Sequence, residues 1–163
     1  MRTKLAAGIM AILSAAITGG AGVAAASASP GGAQTEHLRI MNTKATAARL
    51  SVIATGAFTA GGYVIPAAVT DTVVFPGGTF KLRHVTHSGT ASFNASTCLL
   101  TETLRGSFRI GRGTGTYAGI RGSGRFVTSI VAVTAKNHAG RCTHVQAPAT
   151  YQEIITATGT VSR

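Results

Sequence analysis

The sequence predicts an all-β domain that closes into a small barrel, and three observations carry that expectation. From about residue 45 onward apolar and polar residues alternate with a period of two, broken by Gly, Pro and Asn, as half-buried strands require. Hardly any stretch there shows the three-to-four spacing of an amphipathic helix. The strand-like runs are long for so short a chain and hold glycines at 56, 106 and 159, where a sheet can bend and coil on itself. A flat open sandwich is the alternative architecture.

Taken in order, the chain begins as an export signal does. Arg2 and Lys4 make a basic start, Leu5 to about Ile17 is apolar, and small residues follow to Ala24-Ala25-Ala26-Ser27-Ala28, so that cleavage after Ala26 or Ala28 fits the small-residue rule. An uncleaved membrane anchor is the rival, but Gly19, Gly20 and Gly22 dilute the second half of the segment. The expected plan is therefore a signal over 1–28, a flexible lead-in over 29–44 rich in Pro, Gly and mixed charge, and a barrel domain over 45–163, in a protein secreted to the cell envelope or beyond it. No transmembrane segment is expected after cleavage. Strands are expected at Arg49–Thr59, Asp71–Phe75, Thr79–His87, Thr97–Ile110, Gly124–Lys136 and Ala149–Val161, with Pro76-Gly77-Gly78 a turn.

Removal of the signal leaves 13 basic residues against Glu36, Asp71, Glu102 and Glu153, a formal charge of +9. Such a chain favours anionic partners, although its Lys and Arg are scattered rather than run together. The two cysteines, Cys98 and Cys142, read as a disulfide in an exported chain. A thiolate metal site is the rival, because His138 and His144 flank Cys142, but one Cys-x-His without a second matching pair does not make a zinc site. No metal or other cofactor is expected.

From Gly111 to Gly124 the chain holds six glycines in fourteen residues. Gly113-Thr-Gly115-Thr-Tyr-Ala118 matches the dinucleotide fingerprint in form only, since no helix follows and no acid lies between Glu102 and Glu153 to hold a ribose. The same run reads as a tight connection between strands in which glycines supply positive φ and Tyr117 plugs the adjoining layer. The stretch Gly113-Thr-Gly115-Thr-Tyr117-Ala-Gly119-Ile-Arg-Gly122-Ser-Gly124-Arg-Phe126 resembles a signature of allene oxide cyclase-like and dirigent-like barrels. Phe75-Pro-Gly-Gly-Thr-Phe80 and Ser92-Phe-Asn-Ala-Ser-Thr-Cys98 also resemble small exported bacterial members of that group, which extends the similarity over residues 70 to 163. The resemblance implies a single antiparallel, calycin-like barrel of eight strands. It carries no catalytic residues over, because the plant cyclase's residues do not match this chain position by position.

Side-chain parity supplies the candidate chemistry, since residues two apart on a strand share a face. Glu102 falls on the apolar face of Thr97–Ile110, Tyr151 and Glu153 on that of Ala149–Val161, and His84 on that of Thr79–His87. A carboxylate among apolar groups is costly unless paired or hydrated, so these four residues are candidates to anchor a ligand in the barrel lumen. Ordinary structural polar contacts are the plainer reading. The opposite faces carry Lys81, Arg83, His87, Arg105 and Arg109, a cationic set suited to an anionic envelope polymer. His84 and His87, three apart, face opposite ways and form no metal pair. Nucleic acid is disfavoured, because the few aromatics do not interleave with the basic positions as stacking platforms would. No serine elbow or other catalytic constellation is present. The expectation is a non-enzymatic barrel that binds a small apolar ligand or a partner, with an envelope-docking protein and a cyclase- or isomerase-like enzyme as alternatives.

Overall fold

The alternating segments become ten strands and one short 3-10 turn. The computed structural model describes residues 32–143 and 145–163, so the expected export signal over 1–28, and His144, lie outside the described residues. The strands are β1 (Gln34–Asn42), β2 (Leu50–Gly56), β3 (Ala60–Ile65), β4 (Thr70–Phe75), β5 (Gly78–Asn94), β6 (Leu99–Gly111), β7 (Arg121–Val133), β8 (Ala135–Lys136), β9 (Cys142–Thr143) and β10 (Thr150–Ser162). The 3-10 turn spans Gly115–Tyr117. Eight strands form a closed antiparallel ring in the order β1-β10-β7-β6-β5-β4-β3-β2. Each pairs with its neighbour in sequence except at the β7 to β10 connection, which carries the separate β8–β9 ribbon. The eight strands thus form an antiparallel barrel, closed where β1 pairs with β10.

Two segments differ from expectation. The lead-in placed over 29–44 contains β1, which pairs with β10 over nine residues and with β2 over six, and so closes the ring. Its inward residues are Glu36, Leu38, Ile40 and Asn42, all buried, and the polar pair at its ends hides the period of two. β3 was also not expected as a strand, because Gly61-Gly62 has the look of a turn. Gly62 is instead needed where β3 and β4 approach closely, since a Cβ there would meet the Val74 carbonyl and the Phe75 ring. β5 runs on past His87 to Asn94 with a register shift between Thr86 and Ser88, a bulge that bends the strand.

The interior is filled most densely at one end. Leu38, Val52, Val64, Val73 and Phe80 are at most 1% exposed. Phe80 also joins Phe58, Phe75 and Tyr117, which pack mutually with ring centroids 5.2–6.4 Å apart and mostly edge-on, as aromatic quadrupoles prefer. The glycine-rich connection delivers Tyr117 to this plug. Gly115 and Gly119 take positive φ, and Thr116 N–H and Thr114 N–H donate to the carbonyls of Gly77 and Thr79. Arg163 lies over the Phe58 and Tyr117 rings and caps the cluster. This end is closed.

At the other end β5, β6, β7 and β10, of 17, 13, 13 and 13 residues, outrun β1 to β4, of nine, seven, six and six. The disulfide Cys98–Cys142, with Cα atoms 5.3 Å apart, ties the β8–β9 ribbon to the start of β6 on this projecting side. It consumes both thiols, and so removes the thiolate site considered as its rival. Closing a loop of 44 residues is worth about 4 kcal/mol in the chain-entropy model.

Candidate functional site

The uneven strand lengths leave a cavity at the open end. Its volume is about 270 Å3, just below the range usual for sites that take drug-sized molecules. The strand walls contribute Ile40, Leu82, Leu104, Phe108, Phe126 and Ile155, and the loops after β1 and β3 contribute Ala45, Ala47, Pro66 and Ala67 at the mouth. The lining is therefore mainly apolar, with Asn42, Asp71, His84, Thr86, Thr128 and Glu153 as its polar members.

Local structure holds each polar group. Asp71, second residue of β4, accepts the Ala67 N–H through Oδ1 at 2.8 Å. Its Oδ2 lies 3.5 Å from His84 Nε2, which is also 3.4 Å from the Ala67 carbonyl. His84 stands edge-on to Phe126. Across the cavity the Asn42 side chain closes a turn with Lys44, donating through Nδ2 to the Lys44 carbonyl and accepting its N–H at Oδ1. The same Nδ2 reaches Glu153 Oε2 at 3.5 Å, and the Tyr151 hydroxyl donates to that oxygen at 3.3 Å. Burial, then the nearby Glu153 charge and this bond, push the Tyr151 phenol up to about 12, with Glu102 adding to the effect. Neutral donors thus orient the Glu153 carboxylate without cancelling its charge.

Of the four lumen candidates, His84 and Glu153 line the cavity, and Tyr151 is joined to it through Glu153. Glu102 shares the inner face with Leu104 and Phe108 but lies in the projecting row, beside Ile130, whose other neighbour is Glu153. Asp71 and Asn42 were missed. Asp71 shares parity with Val73 and Phe75, so the rule that found Glu102 and Glu153 applied to it equally. Asn42 was hidden by the assignment of its segment as a lead-in.

The closed end holds a third missed residue. Glu36 is 2% exposed; its Oε2 accepts the Phe58 N–H at 3.1 Å, while Oε1 has no partner among the described residues. Burial raises its pKa above the ordinary carboxylate value of 4.5, against the lowering effect of the Phe58 N–H. Its neighbours in register are Gly159 and Gly56, with Gly124 beyond Gly159.

On the outer wall Lys81, Arg83, His87, Arg105 and Arg109 are all exposed. Arg83 sits directly opposite Arg109, and Arg121 and Arg125 continue the basic surface onto β7. Lys81 Nζ donates to Thr72 Oγ1, and His87 Nε2 lies 2.8 Å from Ser107 Oγ on the outside while His84 faces in, as parity requires. Among the described residues no three His, Cys, Asp or Glu side chains are grouped to hold a metal ion, and no helix is long and apolar enough to cross a membrane. Comparison with protein-family models, with curated proteins and with solved structures returned no match for this chain.

Proposed function

We propose that the protein binds a small, largely apolar molecule in the open end of its barrel, without catalysing a reaction on it. The observation that supports this reading is the cavity itself: about 270 Å3, lined mainly by apolar side chains and in part by polar ones, in a barrel whose opposite end is packed shut. Evenly filled barrels of this strand number leave no such space, so here the chain gives up packing energy at one end. The test is binding of Nile red, a neutral apolar fluorophore, to the purified protein. Leu104→Trp and Ala45→Trp place bulk in the wall and at the mouth, and each should weaken the probe at least tenfold with little change in melting temperature. Folded variants that bind the probe as the parent does would overturn the reading.

A second reading is favoured by one observation on the outer wall. Like charges directly opposite on neighbouring strands oppose pairing, yet Arg83 faces Arg109 in this way. Arg109 and Arg121 also line a shallow depression together with Ser123, Thr160 and Ser162, a set of cations and hydroxyls suited to an anionic group. We infer a surface that docks to an anionic polymer of the cell envelope. Retention on such a polymer should be lost in molar salt, and retention that persists there would exclude the charge-based reading.

A further inference from the structure

The charges of this protein are sorted by side of the wall. All 13 Lys and Arg among the described residues are exposed, from Arg39 to Arg163. None of the four acids is: Glu36 is buried, and Asp71, Glu102 and Glu153 are partly buried on the inner face. Among the described residues the single acid–base contact within 4 Å is His84 with Asp71, and no Lys or Arg reaches any carboxylate. A carboxylate withdrawn from water is costly unless a counter-charge or several donors compensate it. Here the chain carries a large excess of cations and spends none of them on its inner carboxylates.

Two of those carboxylates line the cavity. Asp71 is held by the Ala67 N–H, with His84 Nε2 3.5 Å from its other oxygen, and Glu153 by the Tyr151 hydroxyl and the Asn42 amide, so neither is set against a Lys or Arg. Glu153 Oε1 keeps no protein partner among the described residues, all of its hydrogen bonds being made through Oε2. The deeper wall offers the Phe108 and Phe126 rings, whose faces attract a cation and whose bodies accept an alkyl chain. The missing element is a cation that arrives with an apolar body attached.

We propose that the cavity selects a cationic amphiphile, a molecule with an ammonium head set against Glu153, with Asp71 adding its charge from the opposite wall, and a short apolar body running into the barrel. The proposal rests on the lumen-binding reading and adds to it the charge of the ligand. It also accounts for the contrast with the outer wall: the exterior repels such a ligand at long range, but that repulsion is screened beyond about 8 Å at physiological salt, whereas the short-range attraction inside is not.

The test is displacement of bound Nile red by octylamine, octanol and octanoate, which share one chain and differ in head charge. Octylamine should displace the probe at a concentration at least tenfold below octanol, and octanoate should be the weakest. The double variant Glu153→Gln, Asp71→Asn should abolish the preference for octylamine while leaving displacement by octanol unchanged. Octanol or octanoate matching octylamine, or a preference that survives in the folded double variant, would overturn the proposal and leave the lumen reading standing. Failure of Nile red to bind at all would remove both. Should the double variant fail to fold, the head-group series on the parent protein decides, because a site without charge selection ranks the three by apolarity alone.

Discussion

The two ends of the barrel are built from the same strands and do opposite things with them. At the closed end four aromatic rings fill the section, a glycine-rich connection brings Tyr117 in from outside the ring, and Arg163 caps the stack. At the open end the long strands rise past the short ones, the interior side chains become half-exposed, and polar groups enter the wall. Stability is concentrated where the barrel is full, and the proposed binding site lies where it is not. The comparison teaches that this fold separates the two tasks along the axis, so that substitutions at one end should register little at the other.

The strongest way to break that comparison is to empty the closed end. Phe80, wholly buried in the aromatic cluster, should cost about 3–5 kcal/mol when truncated to Ala, by lost transfer energy and the cavity left behind. Leu104→Ala in the half-exposed wall of the pocket should cost less than about 2 kcal/mol, because its site already opens to water. Denaturant unfolding of the two variants measures both. Equal losses would show that the open end is as much a part of the load-carrying core as the plug.

How much of this was legible in the sequence depends on which end is considered. The turn at Pro76-Gly77-Gly78 and the entry of Tyr117 follow from glycine and proline chemistry that acts locally, and the sequence displays it. Strands β2, β4, β5, β6, β7 and β10 were visible because an inner face of Leu, Ile, Val and Phe alternates with Thr, Arg and Ser. β1 and β3 were not. Where the interior is polar, as at Glu36 and Asn42, or is reduced to glycine for close approach, as at Gly62, the period of two loses its apolar signal although the backbone is as regular as elsewhere. The site suffered from the same cause. Parity found Glu102, Glu153, His84 and Tyr151, but a cavity arises from the mismatch of strand lengths around a closed ring, which no single strand reveals. Hence Glu102, correct in parity, lies beyond the pocket, and Asn42, on an unrecognised strand, lies in it.

A smaller effect sharpens the contrast through the buried carboxyl at the closed end. Because burial raises the Glu36 pKa in the folded state, the folded protein keeps a proton that the unfolded chain releases above about pH 4.5. The unfolded state therefore binds fewer protons through that window, and stability falls as pH climbs from the unfolded value through the folded one. Glu36→Gln lacks this titration. Its melting temperature relative to the parent should rise as pH climbs above about 4.5 and level off once Glu36 of the folded parent has ionised. A pH-independent difference between the two proteins would mean that Glu36 is ionised throughout.

The smallest expected effect lies at the open end and is spectroscopic rather than thermodynamic. The Tyr151 phenol is held up near 12 by burial first, and then by the Glu153 carboxylate and the hydrogen bond it accepts. Glu153→Gln removes the charge and keeps an acceptor, so Tyr151 should ionise at lower pH, seen as an earlier phenolate absorbance on alkaline titration, with Tyr63 and Tyr117 unmoved. The cost in stability should stay below about 1 kcal/mol, because the bond is long and the pair is open to solvent on the cavity side. If the phenol does not shift, burial alone holds it, and Glu153 does not carry its charge toward Tyr151. If the phenol shifts and stability also drops by several kcal/mol, the polar wall of the pocket is structural, and the separation of tasks along the barrel axis fails at the one residue where it matters most.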